Sequence, residues 1–294
     1  MSAHDGLKLL AVPTCEARHR LGGDRVPLGV SIEPAPDLER RFGGLRRLYG
    51  DTGYARLRAA RVAVVGLGGV GSWAVEALAR SGVAALTLID LDHIAESNIN
   101  RQVQALGATL GQAKAQALAA RVADIHPGCA AHVVEAFADA ENWPALLPDR
   151  VDAVIDACDQ VRAKQALAGW VLRQPASERV AFVCVGAAGG KQLAQAIEID
   201  DLAATTHDPL LAALRQRLRQ HDAAARKGAM GVRCVFSRES VQRPQGEGEV
   251  DGNLNCHGYG SSVTVTASFG FAAAGDVVQQ LLRRPQPASQ KVPL

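Results

Sequence analysis

Short apolar runs alternate along the chain with longer stretches in which apolar residues recur every three or four positions. Short runs rich in β-branched residues predict buried strands, and the longer periodic stretches predict amphipathic helices. Strands are therefore predicted over residues 61–65, 85–90, 131–135, 151–157 and 179–186. Helices are predicted over residues 70–81, 111–125, 140–147 and 161–173. This alternation is typical of a parallel sheet with helices on both faces.

The pattern changes after residue 190. Two more strands, for which antiparallel pairing is open, are predicted over residues 195–200 and 232–237, on either side of a helical insert over residues 209–220. Residues 242–260 are rich in glycine and polar residues, which favours a loop, and residues 264–284 predict either a strand or a helix. The predicted fold class is α/β, a Rossmann-like, mostly parallel sheet with helices on both faces, extended by antiparallel strands and a helical insert.

The N-terminal part of the chain has a different character. Residues 1–37 contain four prolines and no sustained periodicity, which predicts a poorly ordered extension. Residues 38–294 are predicted to form one domain. The alternating strands and helices occupy its first part, residues 60–190, and the later strands, insert and closing segment occupy residues 191–284.

Composition narrows the class of protein. With 294 residues, of which 48% are apolar, the chain can bury a large core, so disorder of the whole chain is excluded. A formal net charge of +2 gives no overall argument for nucleic-acid binding. The N-terminus lacks the apolar core of a signal peptide. The longest weakly polar run, residues 261–275, carries serines and threonines and favours a buried strand or helix over a transmembrane segment.

The six cysteines indicate a reducing compartment. No two of them have the C-x-x-C spacing of a zinc site or a dithiol redox motif. Four of them, Cys129, Cys158, Cys184 and Cys234, lie in or beside apolar runs, where a reduced thiol behaves as a small core residue. The expected location is the cytoplasm.

A glycine-rich turn follows the first predicted strand, where residues 66–71 read G-L-G-G-V-G. In a strand-turn-helix unit the first glycine permits the tight turn, the second lets the backbone approach phosphates, and the third allows close packing of helix on strand. Gly66, Gly68 and Gly71 occupy these places, and Gly69 is an additional glycine. Asp90 ends the second strand, where an acid normally binds ribose hydroxyls. The pattern predicts a nucleotide site without identifying the nucleotide.

Two cations beyond Asp90 favour ATP over a dinucleotide. Attack on an α-phosphate develops charge on the departing pyrophosphate, whereas hydride transfer does not, and Arg101 and Lys114 suit the stabilisation of that charge. Each alone is also compatible with a solvated charge at a helix start. Asp159 follows the fourth strand, where a carboxylate can hold Mg²⁺ against triphosphate oxygens, and Asp156 is either a second such group or structural.

These motifs together resemble the E1-like adenylating superfamily, whose members bind ATP and Mg²⁺ and adenylate a carboxylate. The resemblance rests on residues 66–73, 90–92, 98–102, 111–114 and 156–159. It implies that residues 38–294 are an adenylating domain with ATP and Mg²⁺ as cofactors, Asp159 as the metal ligand, and Arg101, Lys114 and Asp159 as catalytic residues. The implied cofactor-binding residues are Gly66, Gly68, Gly69, Gly71, Asp90, Asp92, Asn98, Arg101 and Lys114.

Within that superfamily the chain is most similar to the tRNA threonylcarbamoyladenosine dehydratases. The similarity rests on residues 41–44, 47–50, 186–190, 208–210, 231–237 and 264–271. It implies that ATP activates the carboxylate of the threonylcarbamoyl group on adenosine 37 of tRNA, after which ring closure removes water. It also implies a homodimer in which an arginine of one subunit, Arg41 or Arg47, reaches the ATP of the other.

Two further features carry predictions that stay open. The resemblance aligns Cys256 with a cysteine of related chains, so its thiolate is a candidate to take the acyl group transiently, with a spectator thiol as the alternative. A basic insert is predicted to bind tRNA phosphates, with a solubilising helix face as the alternative. Its cations are Arg215, Arg217, Arg219, Arg226 and Lys227.

Three other functions fit part of the pattern. An activating enzyme for a ubiquitin-like or sulfur-carrier protein would share the whole ATP site, but the zinc cysteines usual in such enzymes are missing from the sequence. Because the ATP site is shared, a sulfur-relay or carrier protein stays an alternative partner beside tRNA. An NAD-dependent oxidoreductase would use the glycine turn and Asp90 but gives no role to Arg101, Lys114 and Asp159. A non-catalytic tRNA-binding scaffold would leave the phosphate-contacting positions without a purpose.

Overall fold

A computed structural model describes residues 35–148, 150–222, 224–242 and 259–284. Its strands are β1 (Arg61–Val65), β2 (Ala85–Ile89), β3 (Ala130–Val134), β4 (Ala153–Asp156), β5 (Ala181–Val185), β6 (Ile197–Asp201) and β7 (Arg233–Ser237). Its principal helices are α1 (Leu38–Ala59), α2 (Gly71–Arg80), α3 (Lys114–Ile125), α4 (Val161–Arg173), α5 (Pro209–His221) and α6 (Val263–Arg283). The predicted strands are confirmed within a few residues.

The strands form a single mixed sheet in the order β3-β2-β1-β4-β5-β7-β6. All neighbouring pairs are parallel except β6 with β7, which is antiparallel. Val65, at the end of β1, is in register with Ile89 of β2 and Asp156 of β4. The predicted α/β fold class is confirmed. We call the edge at which β1, β2, β4, β5 and β7 end the carboxyl edge, where ligands of such sheets bind.

Helices cover both faces of the sheet. Along β1, Val62 and Val64 enter a core formed with α2, α3 and α6, whereas Ala63 and Val65 enter a second core formed with α4 and α5. Side chains of a strand alternate between faces, so a strand buried on both sides is apolar throughout its length. This explains why the central strands are continuous apolar runs in the sequence.

The predicted helix over residues 140–147 is wrong, because the chain forms turns there. The carboxylate of Asp139 accepts hydrogen bonds from the amides of Glu141 and Asn142 at 2.8 and 2.9 Å, which ties the backbone into a local turn. Pro144 lacks an amide hydrogen and disfavours helical geometry in the residue before it.

The two ends of the described region are helical. α1 was not predicted as a helix, because it buries only Phe42, Gly53, Tyr54 and Leu57 and so presents a sparse apolar pattern. The closing segment, for which strand and helix were both open, is the helix α6, which packs along α2 and contributes Phe269 and Leu281 to the core. Within the described ranges, no helix is long and apolar enough to cross a membrane.

Candidate active site

The glycine turn lies at the carboxyl edge between β1 and α2. Gly66 has a φ of +85°, in the left-handed region that favours glycine, and a Cβ there would lie 2.8 Å from the backbone of Ala157 and Cys158. A Cβ on Gly71 would overlap the carbonyl oxygen of Gly66. The turn is therefore tight, and it rests directly on the turn after β4. This arrangement brings the N-terminus of α2, a favourable place for phosphates, to the carboxyl edge.

Asp90 supports the glycine turn from the neighbouring strand end. Its carboxylate is buried and accepts hydrogen bonds from the amide of Leu67 at 2.6 Å and from the amide of Asp92 at 2.8 Å. Burial raises the pKa of Asp90 above its ordinary value. This contact to the glycine turn was not predicted from the sequence. Ribose binding by Asp90 stays a prediction.

Lys114 is held in the same region by Asp92. The Lys114 ammonium donates to Asp92 Oδ2 at 2.7 Å, and the Lys114 side chain is only 8% exposed, whereas that of Asp92 is 53% exposed. The Lys114 amide also donates to the Asp92 carbonyl at 2.9 Å. An incoming phosphate can therefore compete with an exposed carboxylate for a lysine that is already fixed in place.

Arg101 lies against the glycine turn. A Cβ on Gly69 would lie 3.2 Å from Cγ and Cδ of Arg101, so the arginine stem covers that glycine. The guanidinium donates to the Ser97 carbonyl at 2.6 Å and to Asn100 Oδ1 at 2.9 Å. Asn98 is buried and its side-chain oxygen accepts from the Ala95 amide at 3.1 Å, which shapes the loop that carries Arg101. The structure thus brings Arg101 beside the glycine turn.

The two aspartates after β4 have opposite surroundings. Asp156 is fully buried and accepts from the ammonium of Lys164 at 3.0 Å. Asp159 is exposed, and among the described residues its one side-chain hydrogen bond comes from Gln160 at 3.4 Å. Asp159 is therefore free to reach a ligand, whereas Asp156 belongs to the support beneath it.

Lys164 is a buried cation that was not predicted from the sequence. Its side chain is 0% exposed and contacts Asp156 and the Cys184 sulfur, the latter at 3.7 Å. Burial alone lowers the pKa of Lys164, but the attraction of Asp156 outweighs it and raises that pKa. A detectable signal was present, because Lys164 interrupts the apolar stripe that Leu167 and Val171 continue on α4.

Farther along the carboxyl edge, Lys191 and Asp208 bind the main chain. The Lys191 ammonium, which is 2% exposed, donates to the carbonyls of His207 at 2.9 Å, Ser237 at 3.3 Å and Glu239. The Asp208 carboxylate accepts from the amides of Ala187 and Leu211 at 2.8 and 2.9 Å. Burial lowers the pKa of Lys191 and raises that of Asp208. These two residues join the turn after β5 to the start of α5 and the end of β7.

Cys256 lies outside the described residues. The described residues on either side of it both bond to Gly190, whose amide donates to the Gly260 carbonyl at 3.0 Å and whose carbonyl accepts from the Gln242 amide at 2.8 Å. Catalysis by Cys256 stays a prediction.

The two arginines proposed to act between subunits differ in their contacts. The guanidinium of Arg41 donates to the carbonyls of Asp124 and Ile125 at 2.9 and 2.7 Å, so it satisfies the C-terminal end of α3. Arg47 is exposed, and its side chain makes no hydrogen bond within the described part of the chain. Arg47 is therefore the freer of the two.

The predicted tRNA-binding cations do not share one surface. Arg217 donates to Gln165 of α4 at 2.7 Å, on the side of α5 that packs against α4. Arg215 and Arg219 are half-buried, and Arg226 and Lys227 are exposed beyond the end of α5. Their role in tRNA binding stays a prediction.

The residues present suit Mg²⁺ only with the help of a bound nucleotide. In the ranges given above, no three His, Cys, Asp or Glu side chains gather into a group that could hold a metal ion. Mg²⁺ commonly binds one or two carboxylates together with substrate phosphates, and the exposed Asp159 fits that arrangement.

Comparison with known proteins reveals similarity over most of the chain. Residues 41–293 match the model of the ThiF family. The chain is 40% identical over 267 residues to the tRNA threonylcarbamoyladenosine dehydratase of Escherichia coli strain K12, covering 87% of this chain and 98% of that protein. The Haemophilus influenzae protein of the same name is 40% identical over 263 residues, covering 87% and 99%. The crystal structure of the E. coli dehydratase in complex with ATP matches with a TM-score of 0.75 and 40% identity, over 83% of this chain and 94% of that chain.

Proposed function

We propose that this chain, which belongs to the ThiF family and within it to the tRNA threonylcarbamoyladenosine dehydratases, uses ATP to dehydrate N6-threonylcarbamoyladenosine at position 37 of tRNA. The observation that carries the proposal is the placement of two cations around the glycine turn, in a chain similar over most of its length to a dehydratase whose crystal structure contains ATP. Arg101 lies against Gly69, and Lys114 is held by Asp92, next to the Asp90 carboxylate that binds the turn. A dinucleotide enzyme would not need these two cations.

The first step is adenylation of the threonyl carboxylate. A carboxylate is a poor electrophile, so its oxygen attacks the α-phosphorus of ATP, forming an acyl adenylate while the bond to pyrophosphate breaks. The glycine turn and the N-terminus of α2 bind the phosphates. Lys114 and Arg101 stabilise the charge that develops on the departing pyrophosphate, each exchanging its present oxygen partners for phosphate oxygens.

Asp159 would hold Mg²⁺ together with phosphate oxygens of the nucleotide. When bound there, Mg²⁺ would supply neutralisation of part of the phosphate charge. The support for this assignment is the exposure of Asp159 at the end of β4, beside the turn that carries Gly66. Asp156, paired with Lys164, accepts from the Cys158 amide at 3.3 Å and so supports the turn after β4 that leads to Asp159.

The second step is ring closure within the modified base. A nucleophile already tethered to the acyl adenylate attacks its carbonyl carbon, and AMP leaves with the carboxylate oxygen, so the modified base has lost one water. A tethered nucleophile has a high effective molarity, and the protein need only keep the two groups aligned. This is why the mechanism requires no catalytic triad. A transient thioester on Cys256 is an additional route that ring closure does not require.

Three wider assignments belong to the same proposal. The protein acts as a homodimer in which Arg47, rather than Arg41, reaches the partner subunit's nucleotide, since Arg41 is engaged at the end of α3. The reaction takes place in the cytoplasm, where the tRNA substrate is found. A sulfur-relay or carrier protein is a secondary partner that the ATP site alone does not require.

The test is mass spectrometry of nucleosides from tRNA incubated with the protein and Mg-ATP. The expected product is the cyclic form of threonylcarbamoyladenosine, about 18 mass units lighter by loss of one water. About one AMP should form for each modified nucleoside, because an acyl adenylate route releases one AMP per ring closure. Lys114→Ala removes a cation of the proposed site, and Arg162→Ala removes an exposed cation at the start of α4 as the control. Loss of product in the first variant but not in the second, with both folded, assigns the loss to the chemistry. ATP–pyrophosphate exchange stimulated by a small protein ending in Gly-Gly, without any change in the tRNA, would favour a carrier-activating enzyme instead.

A further inference from the structure

A groove follows the exposed face of α5 away from the carboxyl edge. Its upper part is a hollow of about 320 Å³ lined by His207, Asp208 and Ser240, which lie at the ends of the segments joined by Lys191. Its lower part is a hollow of about 270 Å³ lined by Arg219 and Arg226. Ala212 and Arg215 line both hollows, so the two adjoin along α5.

Arg215 stands at the junction of the two hollows in a fixed position. One terminal nitrogen, Nη1, donates to the carbonyls of Leu202 and Thr205 at 3.0 and 2.9 Å, and to the Thr205 hydroxyl at 3.1 Å. Since a guanidinium has five N–H donors in a rigid plane, these bonds orient the group while leaving other donors for a ligand. Immobilising the arginine before binding reduces the entropy lost when a ligand is bound.

The lower hollow is lined by three arginines and by no carboxylate. Arg215, Arg219 and Arg226 form no ion pair with any carboxylate in the described part of the chain. Arg219 donates through Nε to the Ala225 carbonyl at 3.3 Å, which leaves both terminal nitrogens available. The neighbouring Arg173, by contrast, pairs with Asp222. Three guanidinium groups in a depression are a site for anions, and arginine is well suited to bidentate contact with phosphate.

The position of the groove relates it to the nucleotide site. Neighbouring strands of a sheet lie about 4.8 Å apart, so the end of β7 is roughly 14 Å along the carboxyl edge from the end of β1. If the modified base reaches the nucleotide at β1, the adjoining nucleotides of the same strand lie within about 14 Å of it, a distance that places their ribose–phosphate backbone near the upper hollow. The groove then leads that chain down α5 past the three arginines.

From this geometry we infer that the α5 groove binds the phosphodiester backbone of the RNA strand next to the modified adenosine. The inference rests on the proposed function for its identification of the ligand as RNA. Arg219 and Arg226 contact phosphates, and Arg215 fixes the strand at the junction of the hollows. Arg217 takes no part, because its guanidinium bonds to Gln165 on α4.

The experiment compares Arg219→Glu/Arg226→Glu with a control of equal charge change, Arg61→Glu/Arg283→Glu. The control residues are exposed, lie outside the groove and form no described ion pair. The probe is tRNA purified from cells that make threonylcarbamoyladenosine but not its cyclic form. Loss of two charged phosphate contacts should raise the KM for this tRNA about 10- to 100-fold, while kcat and the KM for Mg-ATP change less than about twofold. The dependence of binding on salt should also become shallower.

Two outcomes would overturn the groove assignment. One is an equal KM for tRNA in the groove variant and the control. The other is a groove variant that binds tRNA normally but loses stimulation by a small carrier protein, which would make the groove a protein-docking surface. If the wild-type protein binds the tRNA and the groove variant does not, yet neither forms the cyclic nucleoside, the groove is supported and the proposed function fails.

Discussion

Two buried lysines, Lys114 and Lys191, lie in different halves of the carboxyl edge and have opposite kinds of partners. In the half formed by β1, β2 and β4, Lys114 donates to a single side chain, that of Asp92, which is more than half exposed. In the half formed by β5 and β7, Lys191 donates to three main-chain carbonyls and is almost fully buried. An ammonium has three donors, so Lys191 has none left, whereas Lys114 can bind an incoming anion. Burial by itself therefore does not distinguish a lysine that can bind a ligand from a structural one. The hydrogen-bond partners make that distinction.

Asp159 and Asp208 show the same contrast, while Asp90 and Asp156 are buried supports of the first half. Asp159 is exposed after β4, while Asp208 near β5 is buried and binds two amides. The β1–β4 half keeps unfilled hydrogen-bonding capacity next to solvent, which a charged ligand needs. In the β5–β7 half, the buried hydrogen-bonding groups connect segments that are far apart in sequence. A ligand would meet the adjoining groove there.

The largest expected effect on activity separates the two lysines. Lys114→Met should lower AMP formation with modified tRNA by about 10²- to 10³-fold, because a stabilising charge is lost at the pyrophosphate. Its unfolding should stay close to that of the wild type. Lys191→Met should instead lower the free energy of unfolding by about 2–4 kcal/mol, because buried carbonyls lose their donor, with near-normal activity in the folded fraction. AMP formation and urea unfolding are measured on the same preparations, and a stable Lys191→Met variant would contradict the comparison.

The buried pair beneath Asp159 gives the largest expected effect on stability. Lys164→Met leaves the buried Asp156 carboxylate without its cation and should cost about 3–5 kcal/mol of unfolding free energy. Lys164→Met/Asp156→Leu removes both charges and should recover most of that loss, because an apolar pair of similar volume is tolerated. Urea denaturation checks both. Reduced AMP formation in the stable double variant would mean that the pair also positions Asp159, and a single variant as stable as wild type would refute the argument.

A pH-dependent effect on stability is expected from Glu76, in the helix α2 that follows the glycine turn. Glu76 of α2 accepts from Arg121 at 2.6 Å and from Arg80 at 2.8 Å. Burial by itself raises the pKa of Glu76, but these arginines outweigh it and hold that pKa below 4.5. The folded protein then binds fewer protons than the unfolded chain, so the group stabilises the fold above pH 4.5 and loses this contribution as pH falls through the folded pKa.

Replacement of this carboxylate tests the sign. Glu76→Gln should cost about 1–3 kcal/mol at pH 7, and the difference from wild type should close in strongly acidic solution. Unfolding free energies measured over pH 2–7 check it, and a difference that stays constant with pH would contradict the assignment.

The smallest expected effect compares two buried threonines, one in each half. The Thr266 hydroxyl, close to Gly69, has no hydrogen-bond partner among the described residues, so Thr266→Val should change stability by less than about 0.5 kcal/mol or increase it. The Thr205 hydroxyl donates to the Leu202 carbonyl at 3.0 Å and accepts from Arg215. Thr205→Val should therefore cost about 1–2 kcal/mol. Thermal unfolding of the two variants gives the comparison, and equal losses would refute it.

Much of the fold could be predicted from the chain because strands and helices are local patterns. Four of the five residues of Arg61–Val65 are apolar and buried, on both faces of the strand, and the three-to-four-residue period of Val161–Arg173 reports one buried helix face. The prediction failed at residues 140–147, where the Asp139 side chain competes with helical hydrogen bonds. It missed Leu38–Ala59 because that helix buries few side chains.

The sequence by itself determined that a glycine turn follows a buried strand and that Arg101 and Lys114 come after it, which is enough to favour ATP. Only the tertiary structure decided which charges remain available to a ligand. Asp90 is engaged by Leu67, Lys191 by carbonyls near residues 207 and 237, and Arg41 by the end of α3. Periodicity reports which residues are buried, but the partners of a buried charge depend on the order in which distant strands meet.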